Sequence, residues 1–287
     1  IPDTPMVFSA NGSIAVVAEI KSNQGESQSV ILTGNTGGFY PHVSAFQPYN
    51  GLPQDSIISE FHSPICLKED DLIFSGRLSG GAIDQTDDQF VATISDDGEL
   101  DLIIREGDVI EGHNLLLTLD LLPPIPQKRE ILVLGSLRND LALISARAGR
   151  PPIILARENQ ALVTNEQNYT ITKLHAESLM SEGNQAVMLA TLRATDNENE
   201  ISALLQIGSG TIRALVIEGH EIDRAEKSFI ISEIHCPPSG AQGSGLKNNE
   251  LRLKVSSVAG ASLIIGIPNI DDLDQDGLSD TLELSLI

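Results

Sequence analysis

The sharpest chemistry in the sequence lies near its C-terminal end. There Asp272-Leu-Asp274-Gln-Asp276-Gly277-Leu278-Ser279-Asp280-Thr-Leu-Glu283 sets oxygen-bearing residues at alternate places. A hard cation such as Ca²⁺ takes about six to eight oxygens, and a loop of twelve residues supplies them from positions 1, 3, 5, 7, 9 and 12. Those positions hold Asp272, Asp274, Asp276, the Leu278 carbonyl, Asp280 and Glu283, with Gly277 at the sharp turn. Pro268 precedes the loop by four residues and leaves no room for a full incoming helix. Other candidates are weaker. His62, His175 and His235 sit at matching places in similar segments, and three imidazoles that met in space could hold a metal. Copies of one segment are held apart in a fold, so a structural role is the better reading. A catalytic carboxylate pair cannot be picked out among 40 acidic residues. Gly-x-Ser-x-Gly, HExxH and phosphate-cradling patterns are missing. Cys66 and Cys236 lack metal spacing and read as isolated buried thiols, unless they lie close enough to bridge.

The elements that must position these residues recur along the chain. Ser13–Ile20, Asp71–Leu78, Glu130–Leu137, Gln185–Leu192 and Glu250–Ser257 align without gaps at intervals of 55–65 residues. Their sixth place is small in four copies: Ala18, Gly76, Gly135 and Ala190. Three further short apolar runs follow, exemplified by Leu141–Ile144, Ile153–Glu158 and Lys173–Ala176. Runs of this length, rich in Ile, Val and Leu and bounded by Gly, Pro, Asn or Asp, read as strands. Four short strands per unit is the pattern of a propeller blade. The first strand of each unit is apolar on both faces, as a strand sandwiched between blades must be, and its small sixth residue would relieve crowding near an axis. A β-solenoid is the runner-up. The count is five first and second strands but about four of the third and fourth, so the last blade is expected to lack its outer strands. Arg105-Glu106 and Arg157-Glu158 fall at equivalent places and read as solvated turns.

Composition excludes several roles. With 40 acids against 18 bases the formal charge is −22, which disfavours nucleic acid and anionic membranes as partners. No apolar run is long enough to span a bilayer. The aliphatic content is too high for a disordered chain. Aromatic residues make up 3%, with no Trp, so the stacking platform of most sugar sites is thin. Ile1 is not a methionine, which is consistent with a processed or trimmed chain.

The Asn11-Gly-Ser-Ile-Ala-Val-Val-Ala-Glu-Ile20 and Arg105-Glu-Gly-Asp-Val-Ile-Glu-Gly112 segments resemble the tandem repeat of bacterial secreted or surface proteins, whose unit runs Asn-x-x-Gly-x-Val-Ala-Phe-x-Ala-x-Leu and later Glu-Gly-Asp. The 272–283 segment is similar to the single-helix, EF-hand-like Asp-x-Asp-x-Asp-Gly-Leu-Ser-Asp-x-x-Glu loop of extracellular bacterial proteins. The resemblance implies a bacterial secreted or cell-surface location. Together these readings give an all-β protein: a β-propeller of about five four-stranded blades over 1–267, then a calcium loop and the start of a helix or stalk over 268–287. The expected function is binding or scaffolding of a protein or glycan ligand by a monomer with structural Ca²⁺. The alternative is a propeller glycoside hydrolase or lyase with carboxylates around the axial channel.

Overall fold

The computed structural model describes residues 6–8, 12–21, 25, 27–35, 37–68, 71–95, 98–117, 125–127, 130–164, 167–182, 185–196, 199–208, 211–224, 227–236, 246–247, 250–267 and 285–286. These residues are all β apart from one 3-10 turn at Ala176–Ser178. They form five antiparallel sheets in chain order. Sheet one holds β1 (Met6–Phe8), β2 (Ile14–Lys21), β3 (Ser27–Asn35) and β4 (Gly38–Ser44). Sheet two holds β5 (Ser56–Lys68), β6 (Asp71–Gly80), β7 (Gln89–Ile94) and β8 (Leu100–Arg105). Sheet three is built from β9 (Val109–Ile110), β10 (His113–Leu117), β11 (Ile125–Gln127), β12 (Glu130–Leu137), β13 (Asp140–Arg147) and β14 (Arg150–Arg157). Sheet four runs β15 (Ala161–Thr164), β16 (Gln167–Leu174), β17 (Met180–Glu182), β18 (Gln185–Ala194), β19 (Glu200–Gly208) and β20 (Thr211–Ile217). Sheet five runs β21 (Glu221–Arg224), β22 (Lys227–His235), β23 (Leu246–Lys247), β24 (Glu250–Ser257), β25 (Ser262–Ile267) and β26 (Ser285–Leu286).

The repeated apolar segments are β2, β6, β12, β18 and β24; β2 and β6 are second on their sheets' paths, and β12, β18 and β24 are the central, third strands of theirs. The sheets therefore begin one or two strands earlier than the sequence grouping placed them. Sheet five carries strands on both sides of β24, with β21 opening its path and β26 closing it, which corrects the expectation of an incomplete last unit. Burial follows the sequence pattern. Ile131, Leu132, Val133 and Leu134 of β12 are all buried, as a run apolar on both faces requires. In β24 only Leu251, Leu253 and Val255 are buried, while Arg252 and Lys254 between them are exposed.

The chain divides into two compact units, one of Ile1–Asn139 with Leu143–Ile154 and one of Asp140–Ala142 with Leu155–Ile287. In the first, Ala15, Ile31 and Val43 of sheet one pack on Ile58, Leu72, Phe74 and Phe90 of sheet two. Phe74 sits at the centre of that core, edge-on to Phe61 and Phe90 at 5.7 Å each. In the second, Met180, Val187 and Leu204 of sheet four pack on Ile231, Leu253 and Val255 of sheet five.

The strand entering each core pair is bulged. Register slips between Ile58 and Glu60, Ile171 and Lys173, and Ile231 and Glu233. The extra residue is Ser59, Thr172 or Ser232, and each hydroxyl donates to a carbonyl of the core strand beside it, on Arg77, Thr191 and Ser256. Two of the small sixth residues have a local cause. A Cβ on Gly76 would run into the Glu60 carbonyl oxygen of the bulged strand, and one on Gly135 would meet Leu115.

Candidate functional site

The proposed cation ligands Asp272, Asp274, Asp276, Leu278, Asp280 and Glu283 lie outside the described residues, as does the expected helix start before Ser285. The strands on either side are described. β25 and β26 pair antiparallel, Ile265 opposite Leu286 and Gly266 opposite Ser285, so both ends of the acidic segment enter from one ladder. Among the described residues no group of three or more His, Cys, Asp or Glu could hold a metal.

Two of the histidines are engaged within their own sheets. His175 Nε2 lies 3.0 Å from Thr191 Oγ1 and its Nδ1 3.3 Å from Glu177 Oε1. His235 also meets a hydroxyl and a carboxylate, but both at Nε2, 2.8 Å from Ser256 Oγ and 3.4 Å from Glu233 Oε2. His62 stands half-buried on β5. Each imidazole follows the bulge described above, so its placement is a consequence of strand register. Cys236 is a free, half-buried thiol, and burial pushes it up to about 11.

The arrangement that sequence reasoning misread is the junction after β8, β14 and β20. Glu106, Glu158 and Glu218 stand there, and they do not mark solvated turns. Their N–H groups close the preceding hairpin, donating to Gln89, Leu141 and Ser202 carbonyls at 2.8, 2.9 and 2.9 Å. The next residue, Gly107, Asn159 or Gly219, has a φ of +83°, +63° or +87°. That left-handed step turns its N–H onto the following sheet, where Leu115, Ile171 and Ile231 carbonyls accept at 2.8, 2.7 and 2.7 Å. Leu115, Ile171 and Ile231 return the bond through their own N–H to the carbonyls of Asp108, Gln160 and His220. The β4-to-β5 junction makes the same step with Ala45 and Phe46, whose φ is +59°.

The carboxylates complete the junction. Glu158 Oε2 accepts from Leu141 N–H at 2.9 Å in sheet three, and its Oε1 accepts from Leu174 N–H at 3.1 Å in sheet four. One side chain thus clasps consecutive sheets. Glu218 Oε2 accepts from Ser202 N–H at 2.9 Å in the same manner. Glu106 is only 5% exposed and accepts from Gln89 N–H. Beside it Asp88 receives Arg77 Nη1 at 3.0 and 3.3 Å, and Arg77 Nε reaches Glu60 at 3.9 Å. Burial, and after it the neighbouring Asp88 charge, holds the Glu106 carboxyl above the ordinary glutamate range. The signal for this cluster was visible as the Arg-Glu-Gly-Asp and Arg-Glu-Asn-Gln copies. What the sequence withheld was that the carboxylate points inward.

A cleft of about 470 Å³ lies in the first unit, lined by Gly51–Pro53, Leu102–Arg105 and Asp108. Leu52, Leu102, Ile103 and Ile104 line it together with Arg105 and Asp108, and Arg105 N–H donates to Asp108 Oδ2 at 2.7 Å. No family model matches the chain, and a search of curated proteins finds no match either.

Proposed function

We infer that the chain is a binding or scaffold module of a secreted or bacterial cell-surface protein. In this reading it is a β-propeller of about five blades with a structural Ca²⁺ site formed by Asp272, Asp274, Asp276, the Leu278 carbonyl, Asp280 and Glu283. The observation that carries the reading is the junction made in the same way four times, because it is the kind of link that lets like sheets follow one another in a radial array. The calcium assignment is supported by a complete set of ligand types at the right spacing. Its strand-anchored ends suit a structural role, since a cation that neutralises five carboxylates would stiffen the connection between β25 and β26.

The partner class in this reading is a protein or glycan ligand bound without turnover. Hydrolysis of a glycoside needs two carboxyl groups separated by about 5–9.5 Å across a substrate-sized gap. Asp88 and Glu106 are instead in contact, with Glu106 buried away from solvent. The test is a screen of immobilised glycans and extracellular proteins, run beside an assay for newly released reducing ends. Retention of a ligand with no sugar release is the expected result. Release of reducing ends by the wild-type chain overturns the reading in favour of the hydrolase or lyase.

A further inference from the structure

Glu106 differs from its counterpart Glu158 in one respect. Glu158 has a backbone N–H on each carboxylate oxygen. Glu106 has one from Gln89, while its Oε2 is buried with no hydrogen-bond partner. Such an orphan is costly unless another group supplies a proton. The group in reach is Asp88, another carboxyl, with a side chain only 13% exposed. Two carboxylates in one buried site do not both ionise readily, and a proton between them gives Oε2 its missing partner.

We propose that Glu106 keeps its proton in the fold and turns it toward the Asp88 carboxylate, which makes the junction after β8 a pH-sensitive clasp. Arg77 neutralises the remaining negative charge through its contact with both Asp88 oxygens. The other charged groups around the pair are Glu60 behind Arg77 on β5, the Asp87–Arg105 contact at 4.0 Å, and Asp108 at the end of the junction.

The direction of the pH effect follows. A carboxyl held above its ordinary range keeps its proton in the fold after the unfolded chain has lost it. The clasp is therefore complete below the unfolded value and weakens as pH rises through the folded one. Glu106→Gln should imitate the protonated state, its amide donating to Asp88 and its oxygen still accepting from Gln89. The same change at Glu158 places an amide N–H₂ against a backbone N–H.

The experiment measures thermal unfolding of the full chain from pH 4 to 8 for wild type, Glu106→Gln and Glu158→Gln. It is paired with a carboxyl ¹³C NMR titration of the wild type, assigned through Asp88→Asn. Glu106→Gln should match or exceed the wild-type Tm at pH 8 by roughly 2–4 °C and flatten its pH dependence. Glu158→Gln should lower Tm at every pH. The Glu106 carboxyl should titrate above the ordinary glutamate range even if a variant fails to fold. An ordinary midpoint, or equal losses from the two Gln variants, overturns the proposal.

Discussion

At the scale of single residues, the chemistry of this chain is decided by where carboxylates point. Glu106 and Glu158 were legible as a pair at equivalent places, yet an acidic residue beside Gly or Asn normally faces water. Only the following sheet, contributed by residues 16 or more positions away, turns Glu158 into an acceptor for Leu174. That long-range step is invisible to local pattern. The histidines were visible at matching places in similar segments, but the hydroxyls that His175 and His235 meet, on Thr191 and Ser256, come from the neighbouring strand. Cys236 carries its own prediction. With the thiol pushed up to about 11, almost none is thiolate at neutral pH. Alkylation of Cys236 in the folded chain at pH 7.5, followed by peptide mapping, should be roughly a hundredfold or more slower than after unfolding. Equal rates would mean that the thiol is open to solvent.

At the scale of elements, the aliphatic strands were legible and the edges were not. β12 and β18 announce themselves as continuous apolar runs, since both faces are covered. β4 reads Gly-Phe-Tyr-Pro-His-Val-Ser, with Phe39 and Tyr40 exposed, and lacks that signature. β9 and β26 have two residues each, too few to show a period. The grouping itself was displaced because β5, β16 and β22, read as closing one unit, pair with the apolar strand of the next. The junctions allow a paired test. Phe46 adopts a φ of +59° and is 57% exposed, so it bears the cost of a left-handed conformation with little burial in return. Phe46→Gly should stabilise the chain by about 1 kcal/mol in chemical denaturation. Gly107→Ala should destabilise by at least that much, because its φ is +83° and a Cβ would meet the Asp87 Cβ at 2.9 Å. A loss of stability in Phe46→Gly would show that the ring is held by contacts that outweigh the backbone strain.

At the scale of the whole molecule, charge is unevenly distributed. Residues 268–287 hold six acids and no Lys or Arg, so −6 of the −22 falls on the segment between β25 and its close. The remaining −16 falls on residues 1–267. The all-β class was legible because short apolar runs bounded by turn residues leave no helical period to compete. In the proposed function the acidic segment is the one place where a ligand's identity can be named from residue chemistry. Calcium titration of the full chain by calorimetry, with Asp276→Asn and Glu283→Gln as controls, therefore tests the account most directly. The predicted result is one site with a Kd of about 10⁻⁴–10⁻³ M, lost in both controls. Saturation at about a hundredfold excess over Kd should add about 2.7 kcal/mol of stability and raise Tm. Absence of both binding heat and a calcium-dependent rise in Tm would contradict the account.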